Sequence, residues 1–457
     1  MKIYEDTRKF LQKTAEKVDL SYIKNIYFFL LVMEYIFTIE KKSDYTFSSA
    51  NPDISRMLKN NSYRIENKYR SFRGFSNHIL LEYERIPLTV QEKNDLILSM
   101  IKKVQDIDFL YLIETDMIYE YTENLTDFFS GTCNLQNSTP SEINNLLTKL
   151  IAVEDGSDVC DPFCGLGNSL IKLYKNNNDI SMNIFGQERD EKSYFYCIMN
   201  MFINGILNFV IKNGDTMSNP RFITGNNSLR KFDLILSDTL GSYDNWSDNF
   251  PLNERDEIKD AFDRFIFGIP SKKRGEFAYL LHILHSLKDS GRAFALVPHG
   301  ILYRGGVDEK VRRSLVEMNV IDAVIGLPEN LLSWTKIPLI ILVLNRKKDT
   351  DKTLFIDGAF KEKYKQTRTI NIFQDEDIEK ISDCFIGKAE IPGFSRTVSQ
   401  KEMAYNNYNL SIPLYIQQDK INSNKNIETI KTGISNLQEK LHLVQKKLQD
   451  ELEELGF

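Results

Sequence analysis

Four acidic residues at the ends of apolar runs frame the chemistry open to this chain. Asp161 closes the run "VCD" and leads into Pro162, Gly165 and Gly167; Glu188 closes "NIFGQE", Asp215 closes "NGD" and Asp238 closes "FDLILSD". Glycines after Asp161 let backbone amides approach a ligand at the N-terminus of a helix that begins near Asn168. A carboxylate one strand later, Glu188, is suited to ribose hydroxyls, and Asp215 to the exocyclic amine of an adenine ring. The spacing lacks the Gly-Lys-Ser/Thr of a Walker loop and the strict GxGxxG of a dinucleotide fold. A single turn of this kind reads equally well as a structural strand-to-helix connection. Four polar or glycine turns after four successive strands do not arise easily by chance.

The elements that must hold these residues are short apolar strands alternating with helix-length segments. Strands are expected at 158–161, 183–187, 209–212, 232–237, 292–297, 321–327 and 339–345. Such alternation requires crossover connections, so an α/β fold with a mostly parallel sheet covered by helices on both faces is expected. Ligands in open sheets of that kind sit beyond the carboxyl ends of the strands.

Composition bounds the rest. The chain has 457 residues, 42% hydrophobic and 27% charged, with a net charge of -6. That length suggests more than one unit. The acidic balance excludes a protein that coats nucleic acid by bulk charge, so DNA binding must use local patches or a partner. Cys133, Cys160, Cys164, Cys197 and Cys384 are an odd, scattered set, as in a reducing cytoplasm. No metal site is expected from Cys160 and Cys164, which lack a second pair or a nearby His. "MKIYEDTRKF" has no signal-peptide pattern, and the apolar run from Ile26 to Ile39 is too short for a bilayer span, so no membrane association is expected.

Four regions follow in order. Residues 1–130 read as a mainly helical front, with aromatic-rich helices near 21–39 and 90–110. Within it Arg56, Lys59, Arg64, Lys68, Arg70 and Arg73 are interleaved with Tyr63, Tyr69, Phe72 and Phe75, a pattern that suits either phosphate contact with base stacking or a solvated charged face. Residues 131–348 hold the alternating strands, and 349–420 read as a loop-rich extension with short strands. From 421 to 457, Ile427, Ile430, Ile434, Leu437, Leu441, Val444 and Leu448 repeat at three- and four-residue steps. That repeat predicts a coiled-coil helix of about three heptads that needs a partner helix.

"DPFCGLGNS", "GQE", "NGDT", "FDLILSD" and "GEFAYLLHILHSLKDSGRAFALVPHGILYRGG" resemble, in order and spacing, the adenine-N6 DNA methyltransferases that form the modification subunit of type I restriction-modification systems. "VIDAVIGLPENLLSWTKIPLIILVLNRKK" and "NNYNLSIPLY" extend the likeness over about 138–415. It implies a Rossmann-like methyltransferase fold with a mostly parallel seven-stranded sheet, and S-adenosylmethionine as cofactor. Carried over, the cofactor residues are Asp161, Pro162, Gly165 and Gly167, with Glu188 for the ribose and Asp215 for the adenine. Thr139-Pro140 resembles the upstream segment that closes over the methionine end, although Ser138 stands where the family has an aromatic. The implied partners are DNA, a specificity subunit reached through the coiled coil, and a second modification subunit or a restriction subunit.

The largest departure follows the fourth strand. Where the family reads Asn-Pro-Pro-aromatic, this chain reads Asp238-Thr239-Leu240-Gly241. The family Asn and a proline carbonyl accept both hydrogens of the poorly nucleophilic adenine amine, and the aromatic stacks on the flipped base. Asp238 can still accept, Thr239 and Leu240 replace the prolines, and Tyr243 or Trp246 is the candidate stacking platform. His299 in "VPHG" stands for a common Asn and reads as a polar substitute, while Lys272-Lys273-Arg274 and Arg312-Arg313 read as solvated surface or phosphate contacts. Three functions remain open: an active adenine methyltransferase subunit, a degenerate relative that binds cofactor or DNA, or assists assembly, without transfer, and, ranked last, a methyltransferase acting on a substrate other than DNA.

Overall fold

The computed structural model describes residues 2–40, 53–132, 139–239, 246–248, 250, 258–272, 274–332, 337–359, 365–366 and 371–416. The expected coiled coil at 421–457, together with Cys133, Ser138, Leu240, Gly241, Tyr243 and Lys273, lies outside the described residues.

The strands are β1 (Ser157–Asp161), β2 (Met182–Glu188), β3 (Phe209–Asn213), β4 (Phe232–Asp238), β5 (Leu287–Pro298), β6 (Ile321–Gly326), β7 (Leu339–Asn345), β8 (Lys352–Asp357), β9 (Lys365–Gln366), β10 (Asn371–Ile372) and β11 (Ser395–Ser399). One sheet runs in the order β11-β8-β6-β7-β5-β4-β1-β2-β3; β9 and β10 form a separate two-stranded pair. Strands β1 to β5 pair parallel, and β7 inserts antiparallel between β5 and β6. All seven expected strands are present. The sheet nevertheless has nine strands and not seven, because β8 adds parallel to β6 and β11 adds antiparallel to β8. Without β8 the fully buried β6 would present an unpaired apolar edge. The short run "TLFI" that supplies it stands out little in a stretch otherwise rich in polar residues.

Alternation along each strand divides the core in two. Val159, Ile184, Leu234 and Leu296 belong to one cluster, Cys160, Phe185, Ile235 and Val297 to the other. Because both faces are covered, β7 is apolar from Leu339 to Leu344 without a polar break.

The helices are α1 (Lys2–Ala15), α2 (Lys24–Glu40), α3 (Ile54–Lys68), α4 (Phe75–Arg85), α5 (Val90–Gln105), α6 (Phe109–Glu114), α7 (Ile118–Thr132), α8 (Ser141–Leu150), α9 (Asn168–Asn176), α10 (Glu191–Ile203), α11 (Glu276–His285), α12 (Val307–Glu317), α13 (Asp375–Gly387) and α14 (Gln400–Tyr405). Helix α2 is buried nearly all round, as its uniform apolarity demands. It packs on α10, with Phe28 and Tyr196 ring centroids 4.1 Å apart. No described helix is long and apolar enough to cross a membrane.

The basic-aromatic stretch resolves into two roles. Phe72 and Phe75 are fully buried, and Phe72 and Tyr69 lie 5.2 and 4.7 Å from Phe202 of α10. These rings dock the helical front and are not available to stack on bases. Arg56, Lys59, Arg64, Lys68, Arg70 and Arg73 are all exposed.

Candidate functional site

Beyond the carboxyl ends of β1, β2, β3 and β4 lies a pocket lined by Thr139, Asp161, Pro162, Gly165, Glu188, Asp215 and Asp238, among others. Strand β1 ends at Asp161, whose Oδ1 accepts from the Phe163 amide at 3.0 Å. The chain then turns through Gly165 at φ +52° and Gly167 at φ +85°. Gly167 is required twice over. Its left-handed backbone suits glycine, and a Cβ there would stand 2.8 Å from Cys197 Sγ. Helix α9 starts at Asn168, so Asn168 and Ser169 bring a helix N-terminus to the pocket wall.

Glu188 closes β2 and accepts from Asp190 N at 2.7 Å and Gly165 N at 3.0 Å. It thus braces the glycine turn while keeping acceptor capacity towards the pocket. Asp215 accepts from Met217 N at 2.9 Å, and Thr216 Oγ1 donates to the Pro162 carbonyl at 2.5 Å, tying the loop after β3 to the loop after β1.

Carboxylates dominate. Among the described residues Asp161, Glu188, Asp190, Asp215 and Asp238 line the pocket against the single cation Arg189. Burial, with Asp238 and Glu188 adding to it, pushes the Asp161 carboxyl well above the usual range. Burial also raises Glu188. Such a pocket favours a cation-bearing ligand, because a nearby positive charge stabilises the ionised forms of Asp161 and Glu188 that burial disfavours.

Asp238 ends β4 and accepts from Thr139 Oγ1 at 2.6 Å. The Thr139 carbonyl accepts from Asn144 Nδ2 at 3.1 Å, and Ser169 Oγ donates to Asn144 Oδ1 at 2.6 Å. The segment before α8 is therefore pinned to α9 and to β4 together. Pro140 caps α8 and does not line the pocket. Thr239 also lies outside the lining; it is fully buried and donates to the Leu296 carbonyl of β5 at 3.1 Å. That bond restrains the loop where the resemblance leads one to miss a proline.

Several expectations are corrected. Trp246 is 2% exposed, donates Nε1 to the Ser271 carbonyl at 2.9 Å and packs on Phe250 and Phe265, so it is a core residue and not a stacking platform. Arg312 is neither solvated nor free for phosphate: it is buried and donates to the carbonyls of Tyr408, Ile301 and Arg304. Arg313 is exposed and pairs with Glu317 at 2.8 Å. His299 is half-buried, its amide donates to the Pro338 carbonyl, and burial lowers its basicity.

Residues that sequence reading missed hold the pocket from behind. Arg264, fully buried, pairs with Asp260 at 2.7 Å and donates to the carbonyls of Thr216 and Met217 at 3.4 and 2.7 Å. Arg264 Nη1 also meets His282 Nδ1 at 3.1 Å; burial and the guanidinium keep that imidazole neutral. Gln187 donates to the carbonyls of Gly214 and Asn219 and accepts from Arg221 N, so it shapes the same loop. Phe163 lies edge-on to Tyr279 at 4.6 Å and closes one wall.

The model of the family described as N-6 DNA Methylase matches residues 115–424. The chain belongs to the N-6 DNA methylase family. Over 307 residues it is 30% identical to the type I restriction enzyme MjaVII methylase subunit of Methanocaldococcus jannaschii, covering 64% of this chain and 52% of that relative. The type I restriction enzyme MpnII methylase subunit of Mycoplasma pneumoniae is 29% identical over 351 residues, 74% of this chain and 63% of its own length. The chain thus spans between about half and two thirds of these curated relatives. Its fold is similar to that of a type I restriction-modification system methyltransferase subunit from Streptococcus thermophilus, with TM-score 0.72 at 22% identity over 91% of this chain and 100% of that one.

Proposed function

We propose that this N-6 DNA methylase family member is an S-adenosylmethionine-dependent adenine-N6 DNA methyltransferase subunit of a type I-like restriction-modification system, working in the cytoplasm. The observation that carries this reading is the convergence of Asp161, Gly165, Glu188, Asp215 and Asp238 on one pocket. When bound, the cofactor supplies an electrophilic methyl group on a sulfonium. The residues present fit it: an acidic pocket suits its sulfonium and ammonium charges, and the turn at Gly165, without a side chain, lies at the wall, while Gly167 behind it lets the turn pack on Cys197.

In this reading Glu188 accepts from the ribose hydroxyls and Asp215 from the adenine amine of the cofactor. Pro162, Gly165 and Gly167 shape the turn, and Thr139-Pro140 closes the methionine end. Asp238 accepts a hydrogen of the target adenine amine and holds the nitrogen in line for attack; the amine proton leaves once the nitrogen becomes cationic, so no strong base is required. Thr239 and Leu240 set the loop that follows, and Tyr243 is the remaining candidate to stack on a flipped base. A specificity subunit, met through residues 421–457, whose sequence carries the heptad-like repeat, chooses the DNA site, with a second modification subunit or a restriction subunit completing the assembly.

A second reading, a degenerate family member that binds cofactor or DNA, or assists assembly, without methyl transfer, is favoured by Asp238-Thr239-Leu240-Gly241. Calorimetry with S-adenosylmethionine followed by methyl transfer to DNA, using the protein with its neighbouring subunit, separates the two. Binding with transfer supports the first, and binding without transfer supports the second.

A further inference from the structure

The geometry points to a second DNA-binding element, a phosphate-binding groove on the free β3 edge of the sheet, built by Arg73, Lys212 and Arg221 and taking the phosphodiester backbone of duplex DNA. It rests on the proposal that DNA is the substrate. The groove is open and is lined by those three cations together with Tyr194, Asn213 and Asn219; among the described residues no carboxylate lines it, although the chain as a whole carries a net charge of -6.

Two distant pieces of sequence meet there. Arg73 follows α3 in the basic stretch that sequence reading singled out, whereas Lys212 and Arg221 come from β3 and the loop after it. Arg73 and Arg221 are exposed. The acid nearest Arg73 in sequence, Glu66, accepts from the Gly74 amide and from Ser76, and Arg73 adds to the pull that holds its carboxyl below the usual range. Lys212 Nζ donates to the Arg221 carbonyl at 2.9 Å, which holds the ammonium beside the second cation. Burial, then Arg221 and Arg230, lowers Lys212 below the ordinary lysine range, so these cations repel one another and an anion relieves that repulsion.

Position selects the anion. Asn213 and Arg221 lie at the carboxyl end of the sheet, the same end as Asp238. The sheet order places β1 and β2 between β4 and β3. Three strand spacings put the groove roughly 14 Å to the side of Asp238. That distance is comparable to the width of a DNA major groove, about 12 Å, so one duplex reaches both places. Of the aromatics of the basic stretch, Tyr69, Phe72 and Phe75 pack on the core and Tyr63 is exposed outside the groove lining, so the groove's cations meet phosphate and binding that ignores sequence is predicted.

The test is a fluorescence-anisotropy titration of the full chain with a random-sequence duplex at several chloride concentrations. Wild type is compared with the double variant Arg73→Ala/Arg221→Ala and with Arg73→Lys/Arg221→Lys. The alanine pair is expected to weaken binding about tenfold or more at low salt and to lower the slope of log affinity against log salt by about 2, and the lysine pair to retain both. Cofactor calorimetry on the same preparations is expected to be unchanged. An unchanged slope in the alanine pair overturns the groove, as does a wild type that takes up cofactor but no duplex. Saturable heat with inorganic phosphate that leaves duplex binding untouched also overturns it, assigning the cations to a free anion. Failure of the methyltransferase proposal reads differently: no cofactor heat and no methyl transfer, with the duplex salt slope still measurable.

Discussion

The Thr139 hydroxyl donates to the Asp238 carboxylate at 2.6 Å, joining the segment before α8 to the end of β4. It fixes one oxygen of the side chain that stands where the family places its amine acceptor. A hydrogen bond to a charged group contributes about 1.5–3 kcal/mol. Thr139→Val is therefore expected to slow methyl transfer between roughly ten- and a hundredfold, with Thr139→Ser near wild type. Single-turnover rates check this, provided that cofactor affinity is measured in parallel.

Asp161 sets a trade between stability and binding. Its folded-state carboxyl titrates above the unfolded one because of burial, so its contribution to stability is full below the unfolded value and is lost as pH rises through the folded value. At neutral pH the ionised form is a cost. Asp161→Asn is expected to raise the melting temperature at pH 7 and to abolish cofactor binding; a lower melting temperature contradicts the assignment.

Cofactor affinity should depend on pH in the opposite sense. Asp161 and Glu188 both have raised values, and a cationic ligand prefers the ionised forms. Calorimetry from pH 5 to 8 is expected to show affinity increasing with pH and protons released on binding. Affinity independent of pH would remove these carboxylates from the binding site.

Gly167→Ala adds a Cβ at φ +85° and 2.8 Å from Cys197 Sγ. A loss of about 2–3 kcal/mol is expected from strain and overpacking together. Combining it with Cys197→Ala should recover only the steric part, because the backbone strain stays. Denaturant unfolding of the four species gives the coupling.

Arg264→Ala takes the guanidinium partner from the Asp260 carboxylate, 8% exposed, which keeps its backbone donors Phe262 N and residue 264 N, and from the Thr216 and Met217 carbonyls. Breaking a buried pair in this way costs about 3–5 kcal/mol. Thermal unfolding is expected to fall accordingly, and the Asp215 loop to lose protection in hydrogen exchange.

Residues that act where a strand ends were legible because one short run carries both the strand and its turn. Asp161, Glu188, Asp215 and Asp238 could be placed from apolar runs closed by an acid, and seven strands followed from the same runs. Partners far apart in sequence could not. Nothing local to Arg264 or Arg312 marks them as buried, since long-range carbonyls decide it. Phe72 and Tyr69 have the spacing of a nucleic-acid surface, yet Phe202 claims them. Thr239 reads as a lost proline until the Leu296 carbonyl is found beside it.

The most direct measurement is incorporation of labelled methyl from S-adenosylmethionine into DNA by the protein with its neighbouring specificity subunit, beside Asp238→Ala. N6-methyladenine formed by the wild type is expected, falling a thousandfold or more in the variant, a larger loss than that of cofactor affinity measured beside it. Tight cofactor binding by the wild type without any N6-methyladenine, or equal incorporation by Asp238→Ala, would contradict a methyltransferase acting through Asp238.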